Sequence, residues 1–301
     1  GTFRMGNATA LGSNGTSNDV TVATGATLDL NGYTASSSIK PIKISGTGVG
    51  GNGALQNSSN GTTATVNNAV VLNADSSIGG AGSITIAGGV SGTGRLTKDG
   101  AGTLQLSANT FSGGVTLNSG TLALASASAL GSGDVTLNAG TIGSVTSART
   151  LANNFIIGGN ITFGTGAQST TFNGNFDLGG ASRTFTMGNS ATFNGGITNG
   201  GLVLNAGNGG VRNITLGGSN SFAGGLTVNG GNSVLYTNGN SLGAGGVTLN
   251  SNSILRATGS ATTTQDITVS AGNTGYVEAA SGVTNTLNGT LTKNGSVLVL
   301  G

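Results

Sequence analysis

The tetrad V-T-L-N stands at 115–118, 135–138 and 247–250, and close variants recur along the chain. They read V-T-V-A at 20–23, I-T-I-A at 84–87, I-T-L-G at 214–217, L-T-V-N at 226–229 and I-T-V-S at 267–270. Each sets apolar side chains at i and i+2 with Thr between, the period of a strand with one buried face. β-Branched Thr suits the outward position on the pleat. A short polar turn and a second apolar pair follow, as in Asn118-Ser119-Gly120 before Leu122 and Leu124. Asn and Gly tolerate the left-handed backbone that tight corners need.

Longer modules repeat as well. N-T-F-S-G-G-V-T-L-N at 109–118 returns as N-S-F-A-G-G-L-T-V-N at 220–229. A-L-G-S-G-D-V-T-L-N at 129–138 returns as S-L-G-A-G-G-V-T-L-N at 241–250, and R-L-T-K-D-G at 95–100 as T-L-T-K-N-G at 290–295. Self-similarity of this kind marks a solenoid, where equivalent residues lie above one another, and not a sandwich, which needs none. The steps from Phe163 to Phe185 and from Phe172 to Phe193 are nearly equal and set the length of one coil. The expected fold is all-β, a parallel β-solenoid of about 21–22 residues per coil. Its core stacks Phe163 on Phe185 and Phe172 on Phe193. At ~4.8 Å per coil, about 14 coils make a rod of ~65 Å. Asn118, Asn138, Asn229 and Asn250 would pair their amides in ladders along it, as stacked Asn does in cross-β structures. The chain reads as one continuous segment, 1–301, with sub-blocks of about 1–90, 91–200 and 201–301.

Composition agrees. Gly accounts for 60 of 301 residues, Thr for 44, Asn for 35 and Ser for 33, with one Pro. These are poor residues for helix interiors. Charged residues make up 6%, hydrophobic residues 35%, and the net charge is +2, unlike a disordered chain. With no Cys and no His, disulfides, thiolate or imidazole metal sites and histidine chemistry are excluded. No run of about 18 apolar residues is present to span a membrane as a helix. Ten bases and eight acids, thinly spread, point to no nucleic-acid partner.

L-T-K-D-G-A-G-T-L-Q-L-S-A-N-T-F-S-G-G-V-T-L-N-S-G-T-L-A-L at 96–124 closely resembles the autotransporter-associated β-strand repeat, also called the passenger-associated transport repeat. The resemblance is specific over 90–142, good at 220–255 and partial elsewhere. It implies a right-handed parallel β-helix from a secreted passenger, many of which are adhesins or surface fibres. In that family an outer-membrane barrel often follows; here the chain ends at G-S-V-L-V-L-G. Both ends read as cuts through a longer array, so the expected partners are more repeats of the same chain or end-to-end copies. A host or neighbouring cell surface and glycans are further candidates.

The rival function is a carbohydrate-active β-helix enzyme, lyase or hydrolase, which needs clustered acids. The acids are Asp19, Asp29, Asp75, Asp99, Asp134, Asp177, Asp266 and Glu278, no two within five residues. Stacking could unite Asp75 with Asp99, 24 apart, or Asp134 with Asp177, 43 apart. Arg95, Lys98 and Asp99 form the one local charge cluster; with Lys293 at the position of Lys98, it reads as a solvated corner. The G-x-G-x-x-G spacings at Gly46, Gly48, Gly51 and at Gly48, Gly50, Gly53 lack the helix that phosphate binding requires. G-S-G-D at 131–134 lacks the nine-residue period of a calcium β-roll, and T-x-T pairs keep no register for ice. No residue is assigned to catalysis, a cofactor or a metal. The expectation is a non-enzymatic extracellular fibre or stalk with a structural or adhesive role.

Overall fold

The structure, a computed structural model, describes residues 1–12, 19–35, 41–207 and 210–301. Most strands are short; among the described residues the strands pair in parallel, and helix is limited to single 3-10 turns at Val49–Gly51 and Gly239–Leu242. The fold is the expected β-solenoid. The chain divides into two compact units, Gly1–Arg149 and Thr150–Gly301.

In the first unit each coil has three sides. One stacks Val20–Val22, Ile42–Ile44, Val70–Leu72 and Val90–Gly92. A second stacks Leu96–Lys98, Val115–Leu117 and Val135–Leu137. The third stacks Thr63–Val66, Ser83–Ile86, Thr103–Leu106, Thr121–Leu124 and Thr141–Ser144. The V-T-L tetrads lie level, Val115 facing Val135 and Leu117 facing Leu137, all fully buried, with Thr116 over Thr136 outside. Coil length is nearly constant along the third side, from Thr63 through Ser83, Thr103 and Thr121 to Thr141. It is longer earlier in the chain, where Ile42 lies level with Val70.

The second unit is built the same way, with Leu202, Leu226, Val247, Ile267 and Leu291 level in successive coils. Its core is aromatic at the start. Phe172 lies level with Phe193, rings 5.1 Å apart and 11° from parallel, as expected. Phe155 stacks on Phe176 at 4.6 Å and 15°, a pair the spacing argument missed. Phe163 and Phe185 touch at 4.7 Å but are not level: Phe163 faces Met187, and Phe185 faces Ile161. A longer coil between them shifts the register by two residues, which keeps the same face inward because side chains alternate. All six rings are buried, and edge-to-face contacts such as Phe155–Phe172 at 85° complete the cluster.

Candidate functional site

The charged groups come first, because chemistry would need them together. Asp75 and Asp99 do not meet. Asp75 lies level with Arg95 and accepts its backbone N–H at 2.8 Å, whereas Asp99 lies at the far end of the same strand, beyond Lys98, which faces Ile78. Asp134 belongs to the first unit and Asp177 to the second. The other acids hold turns or pair across coils. Asp29 is buried; its Oδ1 accepts the N–H groups of Asn31 and Ser58 at 3.0 Å, and its Oδ2 accepts the Ser58 hydroxyl at 2.6 Å, with Arg4 Nε at 3.4 Å. Asp177 accepts the Gly179 N–H and the Asn199 amide, both at 2.9 Å, and these bonds hold its carboxyl below the ordinary range. Asp19 pairs with Lys43, and Glu278 with Arg256 one coil away. Asp266 accepts the Thr290 N–H at 2.7 Å. Among these carboxylates no partner is shared. No three potential metal ligands converge among the described residues.

Lys98 overturns its expected place. It is 2% exposed, not solvated. Its ammonium donates to the carbonyls of Asp99 at 2.8 Å, Gly100 at 2.7 Å and Ser119 at 3.2 Å, closing the corner of one coil onto the next. Gly120 makes room for it: a Cβ there would sit 2.7 Å from Nζ. Burial pushes the ammonium down to about 8, and the adjacent Asp99 carboxylate works the other way. Lys293, its sequence counterpart, is exposed, so the two do not share an environment.

The Gly-rich loop at 46–53 binds its own chain. The Val49 N–H donates to Thr27 Oγ1 at 2.8 Å, that hydroxyl donates to the Gly53 carbonyl at 2.9 Å, and the Gly53 N–H returns to the Thr47 carbonyl. The Val49 and Gly53 N–H groups are thus taken within the chain, and the turn is 3-10, with no α-helix dipole.

The recurring Asn residues split into two kinds. At the corners, side-chain amides form ladders in which Nδ2 of the later coil donates to Oδ1 of the earlier one. Asn138 donates to Asn118 and Asn118 to Asp99, each at 2.9 Å. In the second unit Asn250 donates to Asn229 and Asn229 to Asn205, each at 2.7 Å. Asn194 to Asn173, at 2.9 Å, is another such step.

The second kind is buried and was not singled out from the sequence. Asn109 Oδ1 accepts the Val90 N–H of the coil before at 2.7 Å, while its Nδ2 donates to the Ala129 carbonyl of the coil after at 2.6 Å. Asn220 does the same between the Ile197 N–H at 2.7 Å and the Ser241 carbonyl at 2.5 Å. Each thus clamps three coils where regular strand pairing lapses. Two residues on, Phe111 and Phe222 are fully buried, and the next coil brings Leu130 and Leu242 inward. Gly131 and Gly243 follow with φ of 62° and 80°; a Cβ on Gly131 would lie 2.1 Å from the Phe111 carbonyl oxygen, and on Gly243 2.4 Å from the Phe222 ring. The return of N-T-F-S-G-G at 109–114 as N-S-F-A-G-G at 220–225 was the available signal for this equivalence.

A family model described as passenger-associated-transport-repeat matches residues 96–124 and 213–232. No curated protein and no solved structure matches the chain. Each matched segment contains one buried Asn clamp with its Phe, Asn109 with Phe111 and Asn220 with Phe222. Two segments of the chain, 96–124 and 213–232, therefore match the passenger-associated transport repeat, a repeat of autotransporter passengers, and both lie within a β-solenoid.

Proposed function

We propose that this chain is part of a secreted, cell-surface β-solenoid stalk with a structural and adhesive role and no catalysis of its own. The observation that carries the reading is the Asn clamp of the two repeats. It spends the Asn and Phe of the repeat, Asn109 with Phe111 and Asn220 with Phe222, on locking coil to coil, and buries all four. Within each unit, strand backbone N–H and C=O groups pair between successive coils, which suits a load-bearing stalk. The acids support the non-catalytic reading, since they serve turns and inter-coil pairs. The test is surface labelling: antibodies raised against the purified chain are expected to stain intact, unpermeabilised source cells. Staining that requires permeabilisation would refute the surface role. Release of reducing ends or unsaturated products from neutral or acidic polysaccharides, at a rate proportional to protein, would refute the non-catalytic one.

A further inference from the structure

One side of the second unit stacks Thr170–Phe172, Ala191–Phe193, Asn213–Leu216, Ser233–Tyr236, Ser253–Ala257, Thr274–Ala279 and Val297–Leu300. Alternation buries Val234, Leu255 and Val277 and turns their neighbours outward. One outward rank begins with Thr171, Thr192 and Thr215, level with one another, and then changes to Leu235, Arg256 and Glu278. Beside it lie Ile254, Tyr276 and Val299, also level in successive coils. Leu235, Ile254 and Tyr276 are partly exposed and Val299 is exposed. The later coils thus carry an apolar and aromatic patch where the earlier ones carry hydroxyls.

In the middle of the patch Arg256 and Glu278 face each other one coil apart. Arg256 Nε donates to Glu278 Oε2 at 2.7 Å, and Nη2 donates to the same oxygen. An arginine fork commonly takes both oxygens of a carboxylate; here both bonds fall on one. Arg256 Nη1 and Glu278 Oε1 are left with no partner among the described residues. The Arg256 side chain is 44% exposed, so this spare donor and spare acceptor lie at the outer face.

We infer that this face pairs with the same face of a second copy of the chain, the two stacks running antiparallel. The charges select that arrangement. A two-fold axis along the stack would set Arg256 against Arg256 and Glu278 against Glu278. A two-fold axis along the strands, between the coils of Arg256 and Glu278, sets each Arg256 against the Glu278 of the other copy. Each spare Nη1 then meets a spare Oε1, and Ile254 of each copy lies over Tyr276 of the other. Four coils at ~4.8 Å by a five-residue strand such as Ser253–Ala257 at ~3.3 Å per residue give a face of ~300 Å² per copy. A stable interface buries about 800 Å² per partner, so this pairing is weak and reversible.

The pairing goes beyond the stalk reading and does not depend on it. The experiment is sedimentation equilibrium of the full chain at concentrations up to about 1 mM, where an interface of this size should show. A concentration-dependent dimer is expected; stacking through the ends would grow past the dimer and would not depend on these charges. Arg256→Glu alone and Glu278→Arg alone should each weaken the dimer at least about tenfold, because like charges then face each other. An equimolar mixture of the two variants should recover a dimer within about threefold of the wild type, since the acids of one face the bases of the other although neither keeps its own ion pair. That recovery separates pairing between copies from local damage to the coil. Tyr276→Thr, which puts the residue of the earlier coils into the patch, should weaken the dimer several-fold with an unchanged circular dichroism spectrum. A monomer at every concentration, a mixture no better than its components, or association that none of these substitutions changes would overturn the inference.

Discussion

Raising the pH should stabilise the first unit through Lys98. Its ammonium titrates at about 8 in the fold against 10.5 for an ordinary lysine, because burial disfavours the charge more than Asp99 and the three carbonyls favour it. Below the folded value both states hold the proton, and the fold carries the whole penalty. Between the two values the unfolded chain holds a proton that the folded chain has lost, so stability rises with pH. Each pKa unit corresponds to about 1.4 kcal/mol, so the full effect is about 3 kcal/mol. Most of it should appear between about pH 7 and pH 10. Tyr236, whose hydroxyl is raised by burial, lies in the second unit and acts there in the opposite sense once the unfolded tyrosine ionises. Guanidinium unfolding followed by far-UV circular dichroism measures the change. Lys98→Met is the control: it keeps the length of the side chain and removes the titration. Because it also leaves three carbonyls without their donor, at about 1–3 kcal/mol each, the comparison rests on the slope with pH and not on the stability at one pH. A flat wild-type profile, or the same rise in Lys98→Met, would refute the reasoning.

Phe172→Ala should cost about 3–5 kcal/mol in the second unit, since the ring touches Phe155, Phe163, Phe176 and Phe193 at 5.1–5.5 Å; denaturant unfolding of the variant reads it, and a loss below about 1 kcal/mol would contradict the packing. Asn109→Ala should cost about 2–5 kcal/mol by leaving the Val90 N–H and the Ala129 carbonyl unpaired, whereas Asn138→Ala, on an exposed ladder, should cost at most about 1.5 kcal/mol; equal losses would erase the distinction between clamp and ladder. Phe3, Val297 and Leu300 are 55–64% exposed on the first and last strands, so the purified chain should self-associate through them, and Val299→Lys should weaken that association in sedimentation velocity without altering the β spectrum.

Much of this protein was legible in one dimension. Alternation in V-T-L-N placed Val115, Leu117, Val135 and Leu137 inside and their threonines outside, because a strand has no other way to sort a period of two. Identity at a fixed offset announced stacking, and the corner asparagines Asn118, Asn138, Asn229 and Asn250 pair as that stacking requires. What the third dimension decided depends on coil length. Thr103 lies level with Thr121 but Ile42 only with Val70, since corners absorb insertions without disturbing the strands. Distance along the chain therefore does not give position around the coil. That is why Asp75, nearly one coil before Asp99 by count, lies level with Arg95 and not with Asp99, and why Phe163 faces Met187 while touching Phe185. Burial of Lys98 was equally hidden. Its cage is made of main-chain carbonyls, which every residue carries, so no side-chain pattern marks it.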